Sequence, residues 1–210
     1  VYTGNPVRPD VLVDTRADGR NYFNLSDDTF TVLIAGGSRG ARTINNAMID
    51  VHKHFQETKG IKLIHITGDG EYKSVLSQLG ISDGDGLGDS SLILPYLHDM
   101  PKALAAADLA VFRSGAIGLA ELAVRGIPSV LVPYPYAAED HQTYNAHIFV
   151  QEGAAHMIVD QMLSAHDLIG EIEMFMANRD LLAQMGERAL QLGKPNAAHD
   201  IAKLALSIAK

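Results

Sequence analysis

Phe112-Arg113-Ser114-Gly115-Ala116-Ile117-Gly118-Leu119-Ala120-Glu121 decides how this chain is read. An apolar run, 109–112, leads into it and a helix-forming run, 119–125, closes it. Strand, small-residue turn, helix: that order leaves backbone N–H groups unpaired at a helix N-terminus, where a phosphate can bind. Glu121 follows about one turn into the helix, placed to hold a vicinal diol such as ribose while the turn holds phosphates. The stretch points to a nucleoside diphosphate, one that can carry a sugar.

Outward from it, beginning at Phe30, short apolar runs alternate with helical ones, the pattern of a parallel α/β sheet. Strands are expected at 30–35, 61–67, 91–94, 109–112, 129–132 and 155–159. Helices are expected at 42–58, 70–79, 99–106, 117–125, 141–152, 165–177, 180–192 and 197–209. The near-continuous apolar character of the strands suits a sheet covered by helices on both faces. Pro6 and Pro9 argue for an extended segment over 1–13. Residues 1–25 are thus expected to be a linker and the start of a domain filling 26–210, with C-terminal helices in 165–210. Open α/β sheets bind ligands at the C-terminal ends of their strands, so motifs there carry most weight.

The totals narrow the function classes. With 210 residues the chain can bury a sizeable core, and a formal net charge of -8 argues against a nucleic-acid surface. The absence of cysteine excludes disulfides and thiolate metal sites, and fits a cytoplasmic protein. No apolar run is long enough to span a bilayer; Asp108 interrupts the most apolar region. Val1-Tyr2-Thr3-Gly4-Asn5-Pro6 has neither an initiator Met nor the basic and apolar parts of a signal peptide, and is expected to begin inside a longer protein.

Other motifs divide between chemistry and packing. Gly36-Gly37-Ser38-Arg39-Gly40-Ala41 joins the first strand to the first helix. It is either a phosphate turn, with the Ser38 hydroxyl bonding an oxygen, or a tight turn packed for steric reasons. It is neither a dinucleotide fingerprint nor a P-loop. In Asp140-His141-Gln142-Thr143-Tyr144-Asn145-Ala146, Asp140 is a candidate N-cap, and His141, Gln142 and Asn145 share a helical face at i, i+1 and i+4. Neutral donors and acceptors suit sugar hydroxyls; an ordinary capped surface helix is the competing reading. Asp99 is expected as an N-cap, and Met100, Leu104 and His65 as packed residues. The Asp83-Gly84-Asp85 run lies in a Gly-rich connection before a strand, at the wrong end for a site, and reads as a solvated loop. The histidines form no HExxH, and no G-x-S-x-G is present. No metal site is expected.

Taken in order, Thr3-Gly4-Asn5-Pro6-Val7-Arg8, Gly36-Gly37-Ser38-Arg39-Gly40-Ala41, Tyr96-Leu97-His98-Asp99-Met100, Arg113-Ser114-Gly115-Ala116, Glu121 and the 140–146 run resemble the MurG family. Its members are undecaprenyldiphospho-muramoylpentapeptide N-acetylglucosaminyltransferases of bacterial cell-wall synthesis. The resemblance implies a Rossmann-like parallel sheet with helices on both faces, the C-terminal half of a GT-B glycosyltransferase. That half binds UDP-N-acetylglucosamine, and the N-terminal half binds the lipid-linked acceptor, lipid I. Arg8 would contact the diphosphate; Ser38 and the turn at Ala116, Ile117 and Gly118 would cradle phosphates. Leu97 would meet the uracil through its backbone, Glu121 the ribose, and His141, Gln142 and Asn145 the N-acetylglucosamine. Gly118 stands where many members carry a hydroxyl residue, and His141 where a glutamine is common.

The family chemistry is an inverting transfer to lipid I that yields lipid II, without metal or cofactor in the donor half. Its candidate general base and its membrane-docking surface belong to the N-terminal half, outside this chain. The resemblance places the whole protein on the cytoplasmic face of the membrane. Rival readings are another GT-B enzyme (a glycolipid glucosyltransferase or a UDP-sugar epimerase) and a non-catalytic UDP-sugar-binding subunit of a split transferase. A dehydrogenase would need a glycine fingerprint that the first turn lacks.

Overall fold

A computed structural model describes residues 1–37, 41–84 and 87–209. Its strands are β1 (Phe30–Ala35), β2 (Ile61–Ile66), β3 (Ser91–Leu94), β4 (Leu109–Phe112), β5 (Ser129–Leu131) and β6 (Ala155–Met157). All pair in parallel, in the order β3-β2-β1-β4-β5-β6. Every residue of β1 and of β4 is buried. That is why these strands are apolar apart from Thr31 rather than alternating.

The first two helices, α1 (Pro9–Val13) and α2 (Arg16–Tyr22), occupy a segment whose prolines predict extended chain. Pro9 opens α1 at its first position, where no N–H is needed and a fixed φ helps. α2 is set by a reciprocal cap: Thr15 Oγ1 accepts from Asp18 N, and the Asp18 carboxylate accepts from Thr15 N at 2.8 Å. Asp108, just before β4, accepts from Thr31 N at 2.8 Å and pairs with Arg16 and buried Arg20. The early helices are thereby fastened to the base of the sheet.

The remaining helices are α3 (Arg42–Phe55), α4 (Asp69–Leu79), α5 (Met100–Ala106), α6 (Ala116–Arg125), α7 (His141–Gln151), α8 (Ala165–Ala177), α9 (Arg179–Leu192) and α10 (Ala197–Ile208). Successive strand residues point to opposite faces and build two cores. Val32, Ile34 and Val111 pack with α3, α8 and α9. Leu33, Ala35, Ala110 and Phe112 pack with α5, α6 and α7. α10 leaves Ile201, Leu204, Leu206 and Ile208 exposed.

Candidate nucleotide site

Four strand ends meet at one recess. Ala35, Gly36 and Gly37 leave β1, Ile66 and Gly68 leave β2, Pro95, Tyr96 and Leu97 leave β3, and Phe112, Arg113 and Gly115 leave β4. The cavity has a volume of about 500 Å³ and is completed by Arg8, Met100, Ile117, Gly118, Glu121 and Gln142. Topology explains the opening. β1 and β4 are neighbours, but α3 runs to one face of the sheet and α6 to the other, leaving a crevice between them. Gly37 (φ +89°) and Gly68 (φ +82°) turn the chain sharply at the rim, in a region other residues rarely adopt.

α6 starts in the cavity wall. Its first helical bond is Leu119 N to Gly115 O at 3.0 Å, so the amides of Ala116, Ile117 and Gly118 precede any intrahelical acceptor. The helix dipole adds partial positive charge there. Ile117 is exposed at the rim, whereas Glu121, one turn on, is only 8% exposed. Arg8 Nη2 lies 3.7 Å from Glu121 Oε1. Burial pushes the Glu121 carboxyl above its ordinary value, and the Arg8 charge works against that rise. Leu97 is buried on the β3 side of the cavity. Ser38, expected to bond a phosphate, lies outside the described residues.

Of the three α7 residues expected to face one sugar, Gln142 reaches this cavity. Tyr134 N donates to Gln142 Oε1 at 3.0 Å, so the amide's NH₂ is the end it can offer a ligand. His141 is folded back on the preceding turn, its Nδ1 bonded to Ala138 O at 2.7 Å. Asn145 Nδ2 donates to Ser114 O at 3.1 Å, and Ser114 Oγ donates to Gln142 O at 2.8 Å. Asn145 and Ala116 instead line a separate recess of about 120 Å³ with Tyr2, Asn5 and Phe149. Asn5 Nδ2 donates to Ala116 O at 3.5 Å. A shared helical face thus brings these residues together in sequence, but Asn145 serves the turn under α6. Asp140 sits at the N-cap position without capping; it accepts from Thr143 Oγ1. Asp99 likewise does not cap α5 and accepts from Tyr22 OH at 3.0 Å.

Two features escaped the sequence reading. Arg113, the first residue after β4, is largely buried and its Nη1 donates to Val132 O and Pro133 O, both at 3.1 Å. It pairs with Asp160 and lies over the Tyr134 ring at 5.6 Å. A charge placed directly behind a wholly apolar strand was the available signal. The second is a buried polar chain under the β2 end of the cavity. His52 contacts Ser91 Oγ through Nδ1 (2.8 Å) and His65 Nδ1 through Nε2 (3.1 Å). His65 Nε2 meets Asn45 Oδ1 at 3.0 Å, and Asn45 Nδ2 donates to Thr67 O at 2.9 Å, next to Gly68. Since the Thr67 carbonyl only accepts, Asn45 presents its oxygen to His65, which must donate from Nε2. His52 then donates from Nε2, and Ser91 donates to His52 Nδ1. Both imidazoles are neutral: burial lowers His52 to about 3 and His65 well below its usual value.

Among the described residues no group of three or more His, Cys, Asp or Glu could hold a metal ion. Nor, among them, is any helix long and apolar enough to cross a membrane.

A sheet of this order, with a recess where strand order reverses, is Rossmann-like, and its likeness to solved MurG makes it that of a GT-B glycosyltransferase half. Within that class the chain belongs to glycosyltransferase family 28: residues 31–204 match the family's C-terminal domain. It is 42% identical over 205 residues to the UDP-N-acetylglucosamine--N-acetylmuramyl-(pentapeptide) pyrophosphoryl-undecaprenol N-acetylglucosamine transferase of Desulforamulus reducens, covering 96% of this chain and 54% of the relative. A relative of the same description from Desulfitobacterium hafniense is 41% identical over 209 residues, covering 100% of this chain and 57% of its own. The crystal structure of Acinetobacter baumannii MurG superposes with a TM-score of 0.73 at 28% identity, covering 94% of this chain and 55% of the other. The chain therefore spans about half the length of the curated relatives it matches.

Proposed function

We propose that this chain is the donor-binding half of an inverting N-acetylglucosaminyltransferase that converts lipid I to lipid II in peptidoglycan synthesis. One observation carries the reading: a buried carboxylate, Glu121, stands one turn inside the helix whose free amides wall a strand-end cavity. In this reading Glu121 accepts from the ribose hydroxyls, the backbone around Leu97 meets the uracil, and the amides of 116–118 with Arg8 hold the diphosphate. Gln142 donates to the sugar. His141 and Asn145 act on the loop and turn that carry it, and Ser38 remains a phosphate ligand in the proposal.

The 4-hydroxyl oxygen of the muramoyl sugar attacks the anomeric carbon, and the bond to the β-phosphate oxygen breaks with its electron pair leaving on UDP. The hydroxyl proton passes to a base supplied by the N-terminal half. Negative charge grows on the leaving diphosphate, so helix amides and Arg8 stabilise the transition state more than the ground state. Those donors do this without metal or cofactor in the proposal. Lipid I and the cytoplasmic membrane face are met through the N-terminal half, and this chain alone binds donor with little or no turnover.

Calorimetric titration with UDP tests the reading. Binding is expected, and Glu121→Ala should weaken it by roughly 1–3 kcal/mol through lost charged hydrogen bonds. No heat with UDP, or unchanged affinity in the variant, would refute the assignment.

A further inference from the structure

The hydrogen bonds around Gln142 form a path that does not end at the loop holding it. Tyr134 N fixes Gln142 Oε1 at 3.0 Å. The two carbonyls just before Tyr134, those of Val132 and Pro133, both accept from Arg113 Nη1, and the Tyr134 ring lies against the same guanidinium. Arg113 is in turn paired with Asp160, beyond β6, and both side chains are largely buried. Asp160 Oδ2 accepts from Thr43 Oγ1 at 3.0 Å, in the first turn of α3. One buried ion pair thus connects the start of the helix after β1, the end of β4 and the loop after β5. Asp160 itself does not line the cavity.

We infer that the Arg113–Asp160 pair is a positioning device for the sugar end of the site, fixing Gln142 through the 132–134 backbone and so governing recognition of the donor's hexose rather than of its nucleotide. The inference rests on the donor-binding reading above. Its physical basis is the geometry of a guanidinium. Arg113 can satisfy two loop carbonyls from one nitrogen only while its plane is held, and the Asp160 carboxylate holds it. Without that counter-charge the guanidinium is free to turn toward the cavity it lines, the loop carbonyls lose their donor, and Tyr134 N–H no longer presents itself to Gln142. Glu121, the α6 amides and Leu97 share no hydrogen bond or ion pair with Arg113 or Asp160.

The test is titration of UDP and of UDP-N-acetylglucosamine into the wild-type chain, Asp160→Asn, Gln142→Ala and the double variant. The wild type should bind both ligands. Asp160→Asn should bind UDP within about twofold of wild type and UDP-N-acetylglucosamine about tenfold more weakly, the size of one neutral hydrogen bond. Gln142→Ala should show the same selective loss, and the double variant no more than either single one, because both changes remove the same contact. A parallel fall in UDP affinity would overturn the inference, since Arg113 would then serve the diphosphate itself. Multiplying losses in the double variant would overturn it too, by showing that the pair does not act through Gln142. If the wild type bound neither ligand, the donor-site reading would fail and take this inference with it. Should Asp160→Asn not fold, Thr43→Val removes only the hydroxyl donor to Asp160, and the same selective loss, smaller in size, is expected of it; an unchanged ratio of the two affinities would count against the pair.

Discussion

Arg8 Nη2 stands 3.7 Å from Glu121 Oε1, tying the segment that leads into α1 to the inner wall of the nucleotide cavity. The two ends of this pair differ: the Arg8 side chain is half exposed and that of Glu121 is buried. In the proposed donor-binding reading, a ribose diol at Glu121 would compete with Arg8 for the same oxygen and release the arginine toward the phosphates. Because burial raises the Glu121 pKa, UDP affinity should start to fall on acidification at a higher pH than an ordinary carboxylate would cause. Arg8 opposes that rise, so Arg8→Ala should move the onset higher still. Titrations from pH 8 to pH 5, with Glu121→Gln to subtract protonation of the nucleotide's own phosphates, measure this. Identical pH profiles for wild type and Glu121→Gln would rule it out.

Gly118 tests whether the turn into α6 needs a glycine. A Cβ there would meet Phe112 Cδ1 at 3.5 Å, an ordinary contact, and the residue lies inside α6. Gly118→Ala should therefore be tolerated and raise stability by up to about 1 kcal/mol through helix propensity. Gly118→Ser adds a hydroxyl at the cavity wall and should keep or tighten UDP binding. A lowered melting temperature in Gly118→Ala would show that the turn is tighter than described.

The opposite is expected at Gly19 in α2. A Cβ there would come within 2.5 Å of Lys102 O and 2.6 Å of Ala106 N, both backbone atoms of α5. Gly19→Ala must push the two helices apart and should cost about 1–3 kcal/mol, the range for overpacked cores. Urea denaturation measures it; a loss below about 0.5 kcal/mol, the level of an ordinary surface change, would mean α2 is not seated against α5.

Acid stability should follow the buried histidines. An unfolded histidine takes up a proton near pH 6.5, whereas in the folded chain His52 resists until about 3 and His65 also stays below its usual range. The unfolded state then binds more protons between those values, so unfolding free energy is fully present above about pH 6.5 and declines as pH falls. His156, raised by its hydrogen bond to Glu171, works in the other direction, favouring the fold at lower pH, but it is half exposed and should contribute less. Urea unfolding between pH 7.5 and 5 should show a loss on the order of a few kcal/mol. A flat profile, or a His52 ring titrating near 6.5 by NMR, would contradict the neutral pair.

The parallel sheet was legible because strands covered on both faces are near-continuously apolar, and the runs at Phe30, Ile61 and Leu109 are short, apolar in the main and alternate with helical stretches. The turn into α6 was legible for a related reason: small residues between such a strand and a helix mark a tight junction at a helix start. α1 and α2 were not, since Pro9 looks the same whether it breaks a helix or opens one. The Thr15–Asp18 spacing was the one available signal for the start of α2, and it was not read. Helical periodicity grouped His141, Gln142 and Asn145 but carries no information on which neighbour each amide will bond. Arg113 and Asp160 meet only after β4, β5 and β6 are laid side by side, and nothing local in either stretch names the other.

The Ser91–His52–His65–Asn45–Thr67 chain has a sense of direction. Each link hands its hydrogen to the next, and the carbonyl at the far end can do nothing but receive. Reversing one ring would oblige all the others to reverse, and the Thr67 end forbids it. The row is consequently an all-or-nothing object: whatever reshapes the bend at Gly68 is felt at Ser91, at the far end of the neighbouring strand β3, and a defect at Ser91 is felt beneath the cavity.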